Sequence, residues 1–213
     1  PGIQKIDLTR CDTVGDAGLA HLTRLTKLRE LKLGGARIGN SALEHVARLS
    51  GLRSLGLDDT SVSNLEKLKA IPGLQRLSVV RSGVDDAGVE AVGGLTELRY
   101  LRVRGTQVGD DGMTAVANCV QLKVLDVSET SVGDRGLERV KDLVELEELN
   151  LWKTRVTGAG LAHVKGLKKL RRLNLDDDVA VNDEGVRQLA GLSSLEFLHL
   201  GDTQVTDQGL ESL

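Results

Sequence analysis

Aromatic side chains are nearly absent from this chain, which has one Tyr, one Trp and one Phe among 213 residues. Apolar residues still make up 40% of the sequence, so the chain can bury a large core. A core of that size without aromatic rings must consist of similar-sized aliphatic side chains stacked in repeated layers. The composition therefore predicts a repeated architecture.

Several features that mark other protein classes are also missing. The formal net charge is only -3, which gives no general attraction to nucleic acid, whose binding is dominated by phosphate neutralisation. No apolar run approaches the roughly 18 residues of a membrane span, and the start, PGIQKIDL, lacks the regions of a signal peptide. We therefore predict no nucleic-acid partner and no membrane span. A cytoplasmic location is favoured, although Pro1 in place of Met leaves open the removal of a preceding segment.

The apolar residues recur in nine similar units. In the unit from Leu122 to Leu146, LKVLDVSETSVGDRGLERVKDLVEL, the pattern L-x-x-L-x-L is followed by T-x-V, by D-x-G-L and by apolar residues three positions apart. The apolar spacing changes within the unit from two to about three and a half, which predicts a short strand, a turn and a short helix. The units follow one another at steps of 22 to 25 residues and begin near Ile3, Leu28, Leu52, Leu74, Leu98, Leu122, Leu146, Leu170 and Leu195.

With these motifs the sequence resembles the leucine-rich repeat family over essentially its whole length. The repeat LxxLxLxxTxVxDxGLxxLxxLxx is similar to those of large bacterial leucine-rich proteins and, more distantly, to ribonuclease-inhibitor-like and F-box-associated repeats. The resemblance implies an α/β fold: a right-handed solenoid with a parallel β-sheet on its concave face and short helices on its convex face. We expect residues 1–213 to form a single domain of about nine repeats. Because neither end shows the polar face of a capping repeat, we expect a fragment of a longer chain.

Two polar columns accompany the apolar pattern. The family's usual Asn or Cys after the strand is mostly replaced by Thr, as at Thr106 and Thr130, whose hydroxyl can still bond the loop backbone. An Asp or Asn then precedes the helix, and we predict that it caps the helix N-terminus, worth about 1 kcal/mol at each site. This column contains Asp16, Asn40, Asn64, Asp86, Asp110, Asp134, Asp183 and Asp207. The third unit is two residues short, so we predict that residues 61–73 form the weakest junction.

Residues that usually carry catalysis or bind metals are few and scattered. Cys11 and Cys119 lie four units apart, roughly 20 Å at about 4.8 Å per stacked strand, so they cannot form a disulfide. No H-E-x-x-H, C-x-x-C, P-loop or G-x-S-x-G pattern is present. The acidic run at residues 176–178, followed by Asp183 and Glu184, lacks the central Gly and terminal Glu of a calcium-binding loop. We predict no catalysis, no cofactor and no metal site.

The concave face is where the sequence carries information about function. Strand positions that flank the leucines point away from the core, and all three aromatic residues, Tyr100, Trp152 and Phe197, fall in these columns. Aromatic residues and Arg are the side chains most enriched at binding hot spots. The candidate binding residues are Arg76, Tyr100, Arg102, Arg104, Asp126, Asn150, Trp152, Asn174, Asp176, Phe197 and His199.

These residues are expected to form two patches. One is basic and surrounds Tyr100 with five arginines, which suits an acidic or phosphorylated segment: Arg76, Arg81, Arg99, Arg102 and Arg104. The other is mixed and gathers its members around a tryptophan: Trp152 with Asn150, Asn174, Asp176, Phe197 and His199. Negative charge between them comes from Asp126, Glu129, Glu147 and Glu148. Alternating charge along a rigid surface favours partner choice and register.

We predict a monomeric recognition platform that binds a protein or peptide partner on the concave sheet face and has no catalysis of its own. The resemblance implies this role, because leucine-rich repeats serve as binding platforms in adaptors, receptors, inhibitors and substrate-recognition subunits. Two alternatives stay open. The array could be the substrate-recognition module of a larger enzyme or ubiquitin-ligase-like assembly, or a structural array that stacks with itself through its uncapped ends.

Overall fold

The computed structural model describes residues 2–213 and contains within them one parallel sheet whose nine strands lie in chain order. The strands are β1 (Lys5–Leu8), β2 (Glu30–Gly35), β3 (Ser54–Thr60), β4 (Arg76–Ser78), β5 (Tyr100–Arg102), β6 (Val124–Asp126), β7 (Glu148–Asn150), β8 (Arg172–Asn174) and β9 (Phe197–His199). Each strand pairs in register with the next repeat, as in Leu101 with Leu125. The predicted parallel sheet is confirmed.

Short helical segments connect consecutive strands and pack against one another in a second row. Those with 3-10 geometry are Asp16–Arg24, Glu66–Ala70, Glu90–Gly94 and Gly160–His163, and those with α geometry are Ala42–Val46, Asp86–Val89, Met113–Val116, Asp134–Arg139, Asp183–Arg187 and Asp207–Leu210. The arrangement is an α/β solenoid, and the sheet face opposite the helices is its concave face. Within residues 2–213, every helix falls short of the length and apolarity that crossing a membrane demands.

The core between sheet and helices is aliphatic, as the composition predicts. Within residues 2–213 the buried apolar side chains are Leu, Val, Ile and Ala together with Met113 and Cys119, without any aromatic ring. Burial raises the pKa of the Cys119 thiol to about 12, so this cysteine stays protonated and acts as a small apolar side chain. Repeated layers of similar side chains therefore fill the whole solenoid.

The hydroxyl column after each strand bonds its own loop. Thr60, Thr106 and Thr130 are buried, and each donates its Oγ1 hydrogen to the carbonyl three residues back at 2.6–2.7 Å. Ser82 and Thr203 make the same bond at 2.7 Å. This confirms that a small hydroxyl can replace the family's usual Asn at the strand exit.

Most of the predicted helix caps are wrong, because the Asp residues of this column bond the next repeat. Asn64 does bond its own helix as predicted, since its Oδ1 accepts a hydrogen bond at 2.8 Å from the amide of Glu66, the first helical residue. Asp86 Oδ1 accepts hydrogen bonds from the backbone amides of Gly109 and Gly112 at 2.6 and 3.0 Å. The same cross-repeat bond, at 2.7–2.8 Å to the following turn, is made by Asp16, Asp110, Asp134 and Asp183. Helices begin at Asp16, Asp86, Asp134 and Asp183, so their caps lie one position earlier, as at Asp85 and Asn182. The helix after Asp110 begins at Met113. A side chain at the first helical position reaches the neighbouring turn more easily than its own amides.

A row of left-handed residues follows the strands and was not predicted. We call it the turn row: Gly35, Asp59, Arg81, Gly105, Glu129, Lys153, Asp177 and Asp202, with φ between 52° and 94°. Six of its members are charged side chains in a conformation that favours glycine. Their side chains therefore leave the sheet at one edge, beside the outward columns of the strands.

Candidate functional site

Two hollows lie side by side on the concave face. The C-terminal hollow, of about 230 Å³, extends over β5 to β9. Its outward-facing lining comes from alternate strand positions, which share one face of the sheet: Tyr100, Arg102, Val124, Asp126, Glu148, Asn150, Arg172, Asn174, Phe197 and His199. The N-terminal hollow, of about 500 Å³, extends over β1 to β5, and both hollows include Tyr100 and Arg102.

Each end of the C-terminal hollow carries an arginine beside an aromatic ring. The guanidinium of Arg172 lies 4.6 Å from the centre of the Phe197 ring, and that of Arg102 lies 5.9 Å from the Tyr100 ring. Phe197 is 47% exposed although it is a large apolar side chain. Tyr100 is half-buried, and this burial raises its pKa, so its hydroxyl stays protonated at neutral pH. The hollow thus presents two apolar rings with fixed positive charge next to them.

The polar floor of this hollow is partly used by the fold itself. Asp126 Oδ1 accepts hydrogen bonds from the Ser128 amide and hydroxyl at 3.1 and 2.6 Å. Asn150 and Asn174 each accept one bond through Oδ1 from the amide two residues on, at 3.1 and 3.0 Å. These bonds close local turns. The two Asn side chains therefore offer their Nδ2 donors and one remaining lone pair on each Oδ1 to anything that enters the hollow.

The predicted basic patch is largely neutralised. Arg102 Nε lies 3.2 Å from Asp126 Oδ2, and Arg104 Nε lies 2.6 Å from Glu129 Oε2. Within residues 2–213, Arg76 has no carboxylate oxygen within 4.0 Å. Arg81 Nε lies 2.6 Å from Asp59 Oδ1, whereas Arg99, like Arg76, has no carboxylate oxygen within 4.0 Å among residues 2–213. Of the five predicted cations in this patch, three are thus paired with acids and two are not.

The predicted mixed patch is divided between the hollow and the edge of the sheet. Asn150, Asn174, Phe197 and His199 line the C-terminal hollow, but Trp152 does not. The Trp152 Nε1 hydrogen is donated to Asp177 Oδ2 at 2.7 Å, and the Arg104 guanidinium lies 4.8 Å from the Trp152 ring centre. Trp152 thus packs beside the turn row, between charged groups of the fifth and eighth repeats.

Asp176 lies in the same edge position one repeat further on. Its Oδ1 accepts a hydrogen bond from the Gly201 amide at 2.7 Å, and its Oδ2 lies 3.6 Å from His199 Nδ1. A side chain at residue 201 would approach Asp176 Oδ1 to 3.0 Å, so Gly201 makes room for this bond. Asp176 therefore connects two repeats and is available to a partner only through its second oxygen.

Comparisons with known proteins agree on the architecture. The family model described as Leucine Rich repeat matches residues 95–117 and 191–213. An internalin (inlF) from Listeria monocytogenes is similar in structure with a TM-score of 0.85 and 23% identity, covering 99% of this chain and 58% of its own. A second Listeria internalin, inlC2, has a TM-score of 0.72 and 25% identity, covering 91% of this chain and 77% of its own. The chain therefore has the leucine-rich repeat fold, and two of its repeats match the family model.

The receptor kinase HAESA of Arabidopsis provides a plant example of the same architecture. Its leucine-rich repeat ectodomain superposes with a TM-score of 0.74 and 18% identity over 94% of this chain and 34% of its own. The present leucine-rich repeat protein thus spans 58% of the first internalin's length and a smaller share of the plant receptor's. No curated protein sequence matches it.

Three residues of the C-terminal hollow were missed among the candidates. Val124, Glu148 and Arg172 line it, and Arg172 Nε lies 3.8 Å from Glu148 Oε1. They stand in the same repeat column as Tyr100 and Phe197, so the column itself was the available signal. Ranking by residue type alone overlooks such neighbours in a leucine-rich repeat.

The eighth repeat departs from the hydroxyl column at Asp178. This side chain is 1% exposed, and its Oδ1 accepts hydrogen bonds from the Thr154 amide and hydroxyl at 2.7 and 3.0 Å. Its Oδ2 has no hydrogen-bond partner within residues 2–213. Burial raises the pKa of Asp178 to about 7, and the nearby charges of Asp177 and Asp176 add to the effect. No metal-binding group of three or more His, Cys, Asp or Glu residues occurs in this part of the chain or elsewhere in residues 2–213.

Proposed function

We propose that this leucine-rich repeat protein binds a protein or peptide segment along its concave sheet face and has no catalysis of its own. The observation that carries the proposal is the pair of arginine–aromatic contacts at the two ends of the C-terminal hollow, Arg102 with Tyr100 and Arg172 with Phe197. Exposed aromatic rings next to Arg are the groups that contribute most at protein interfaces. The sheet supports them on strands, so they are already in position before a partner arrives.

The dimensions of the face suit an extended peptide. Tyr100 and Phe197 stand on β5 and β9, which are four strand steps apart. At about 4.8 Å per step this is roughly 19 Å, the length of about six extended residues. HAESA, one of the similar structures, was crystallised in complex with an N-terminally extended IDA peptide hormone ligand. We infer that a segment of comparable kind crosses the strands of the present array.

An acidic or phosphorylated partner at Arg76, Arg102 and Arg104 remains a narrower form of the same proposal. Arg102 and Arg104 would have to exchange Asp126 and Glu129 for groups of the partner. Separating charge pairs and leaving one member unpaired is costly when that member is buried, as Asp126 is. Arg76 needs no such exchange, so it is the position at which a partner's negative charge is best accommodated.

The proposal is tested with peptides selected from a random display library against the protein. The double variant Tyr100→Ser/Phe197→Ser should lower their affinity by about 30-fold or more, because removing a hot-spot side chain costs at least about 2 kcal/mol. The matched control is Val120→Ser/Val144→Ser, which removes apolar side chains that are 56% and 52% exposed in the loops before β6 and β7.

Thermal unfolding of all variants shows whether the fold is intact. Loss of binding in the control and not in the concave variant would place recognition elsewhere on the solenoid. A failure to select any peptide whose binding depends on the concave face would contradict the proposed function.

A further inference from the structure

The N-terminal hollow contains an arginine whose charge the protein does not balance locally. The other two cations that line this hollow, Lys32 and Arg102, lie 3.8 and 3.2 Å from carboxylate oxygens. Arg76 projects from β4, is exposed, and has no carboxylate within 4.0 Å among residues 2–213. A guanidinium in this position is free to form two parallel hydrogen bonds to an incoming anion.

Hydroxyl groups flank Arg76 on both neighbouring strands. The strand register pairs Arg76 with Ser54 on β3 and with Tyr100 on β5. The Ser54 hydroxyl makes no hydrogen bond to any residue in 2–213, and burial raises the pKa of Tyr100, so both hydroxyls can donate at neutral pH. We name Ser54, Arg76 and Tyr100 together the Arg76 niche. In it, an arginine stands in register between two residues that carry hydroxyl donors.

The floor next to the niche leaves room for a side chain to enter. Gly56 follows Ser54 by two residues on the same face, and a Cβ atom there would meet nothing closer than Lys32 side-chain carbon at 3.5 Å. Ser78, paired with Gly56 on the next strand, turns its hydroxyl to Asp58 Oδ1. The N-terminal hollow of about 500 Å³ is therefore lined beside Arg76 by small residues.

The charges around the hollow favour a single negative charge over a double one. Asp7, Glu30 and Asp58 also line it, and Asp58 Oδ1 is held by the Val80 amide at 2.9 Å. A phosphate group carries close to two negative charges at neutral pH and would be repelled by these acids. One carboxylate would match the one guanidinium lining this hollow that lacks an acidic partner among residues 2–213.

We propose that the Arg76 niche binds the carboxylate of an Asp or Glu side chain in the segment that occupies the concave face. This inference rests on the proposed function, because it names a residue of that segment. Arg76 on β4 and Phe197 on β9 are five strand steps apart. At about 4.8 Å per step, the acidic residue lies roughly seven extended residues from the one that contacts Phe197.

The test begins with the peptides selected against the native protein. Those that bind the concave face should share an acidic residue at that spacing. Arg76→Gln should weaken them on the order of tenfold, and replacing the shared Asp by Asn in the peptide should weaken them equally. Combining both changes should add little further, because each removes the same contact. Arg99→Gln is the matched control, since Arg99 is exposed but lines neither hollow.

The possible outcomes separate the inference from the proposed function. The inference is overturned if peptides whose affinity falls in Tyr100→Ser/Phe197→Ser share no acidic residue, or if Arg76→Gln leaves their affinity unchanged. The proposed function would still stand in either case. A phosphoserine peptide that binds more tightly than its Glu counterpart through Arg76 overturns the assignment of a carboxylate. If every selected peptide binds Tyr100→Ser/Phe197→Ser as tightly as the native protein, both the inference and the proposed function are overturned.

Discussion

Asp178 places a carboxyl group where most other repeats have a buried hydroxyl. Thr106 and Thr130 donate to the carbonyl three residues back, at 2.6 Å in both cases. Asp178, when ionised, cannot donate, and it instead accepts from Thr154, whose hydroxyl bonds Asp178 at 3.0 Å. Its second oxygen is buried without a partner in residues 2–213. Replacing Asp178 by Thr restores the hydroxyl that, in the repeats of Thr106 and Thr130, donates to the carbonyl three residues back.

The expected effect depends on pH in a defined direction. Burial raises the pKa of Asp178 from 3.8 to about 7 in the folded protein. A folded-state pKa above the unfolded one means that the protein gains stability from this group below about pH 4 and loses it as pH rises through about 7. A difference of about three pKa units corresponds to about 4 kcal/mol when the loss is complete. Ionised Asp178 thus weakens the native protein at neutral and alkaline pH.

Asp178→Thr should therefore stabilise the protein at pH 8 by about 1–3 kcal/mol. Removing the ionised carboxyl gains about 4 kcal/mol. Losing the two hydrogen bonds from Thr154 costs about 1 kcal/mol each, which leaves about 2 kcal/mol, the centre of this range. At pH 4.5, where Asp178 is mostly protonated in the folded state, the variant should be no more stable than the parent. Urea unfolding at both pH values measures the change, and only the difference between proteins is used, because other carboxyl groups titrate equally in both.

Asp142→Thr provides the control, because Asp142 is exposed and the substitution is chemically the same. Its effect on stability should not change between pH 4.5 and pH 8. If Asp178→Thr shifts the free energy of unfolding by the same amount at both pH values, the buried carboxyl is not the source of the difference. The reasoning from its burial would then be refuted.

Two further predictions concern the backbone of the array. Lys153→Gly should stabilise the protein by about 0.5–1 kcal/mol, because Lys153 has φ 55° and glycine adopts this conformation without strain; denaturant unfolding measures it, and Lys165→Gly should show no gain. Amide hydrogen exchange should be faster at residues 61–73, in the short third repeat, than at residues 122–145, because each repeat is stabilised by its neighbours. Equal protection of the two segments would contradict the second prediction.

Periodicity was sufficient to predict the fold because each apolar position repeats in the same environment. Leu101, Leu125 and Leu149 are in register on adjacent strands, so the column of a residue determines its burial. The position of a helix start is less constrained. Asp134 was predicted to cap a helix that instead begins at Asp134 itself, so its carboxylate bonds the Thr157 amide of the next repeat. A shift of one residue changed the role of the whole column.

Most residues of the outward columns lie on the concave face as predicted, but Asp126, Ser128 and Val80 are buried. The partners of the outward side chains were not predicted. Arg104 pairs with Glu129, which belongs to the turn row and not to any strand column. Glu129 reaches Arg104 because its backbone is left-handed, with φ 54°. Nothing in the sequence predicts that conformation for a glutamate, since glycine is the usual residue there. Asp177 is also left-handed, with φ 60°, so its hydrogen bond with Trp152 could not be predicted from the sequence for the same reason.

These internal pairs change what recognition by this leucine-rich repeat protein can depend on. Arg102 and Arg172 each lie near an acid of an adjacent repeat, at 3.2 and 3.8 Å. A partner therefore meets charge that is already balanced across much of the face, and long-range attraction contributes little to its binding. Shape and the two exposed rings are left to provide affinity. Among the Lys and Arg side chains that line the two hollows, Arg76 is the one with no carboxylate within 4.0 Å in residues 2–213. It is left to distinguish an acidic from a neutral residue in the partner.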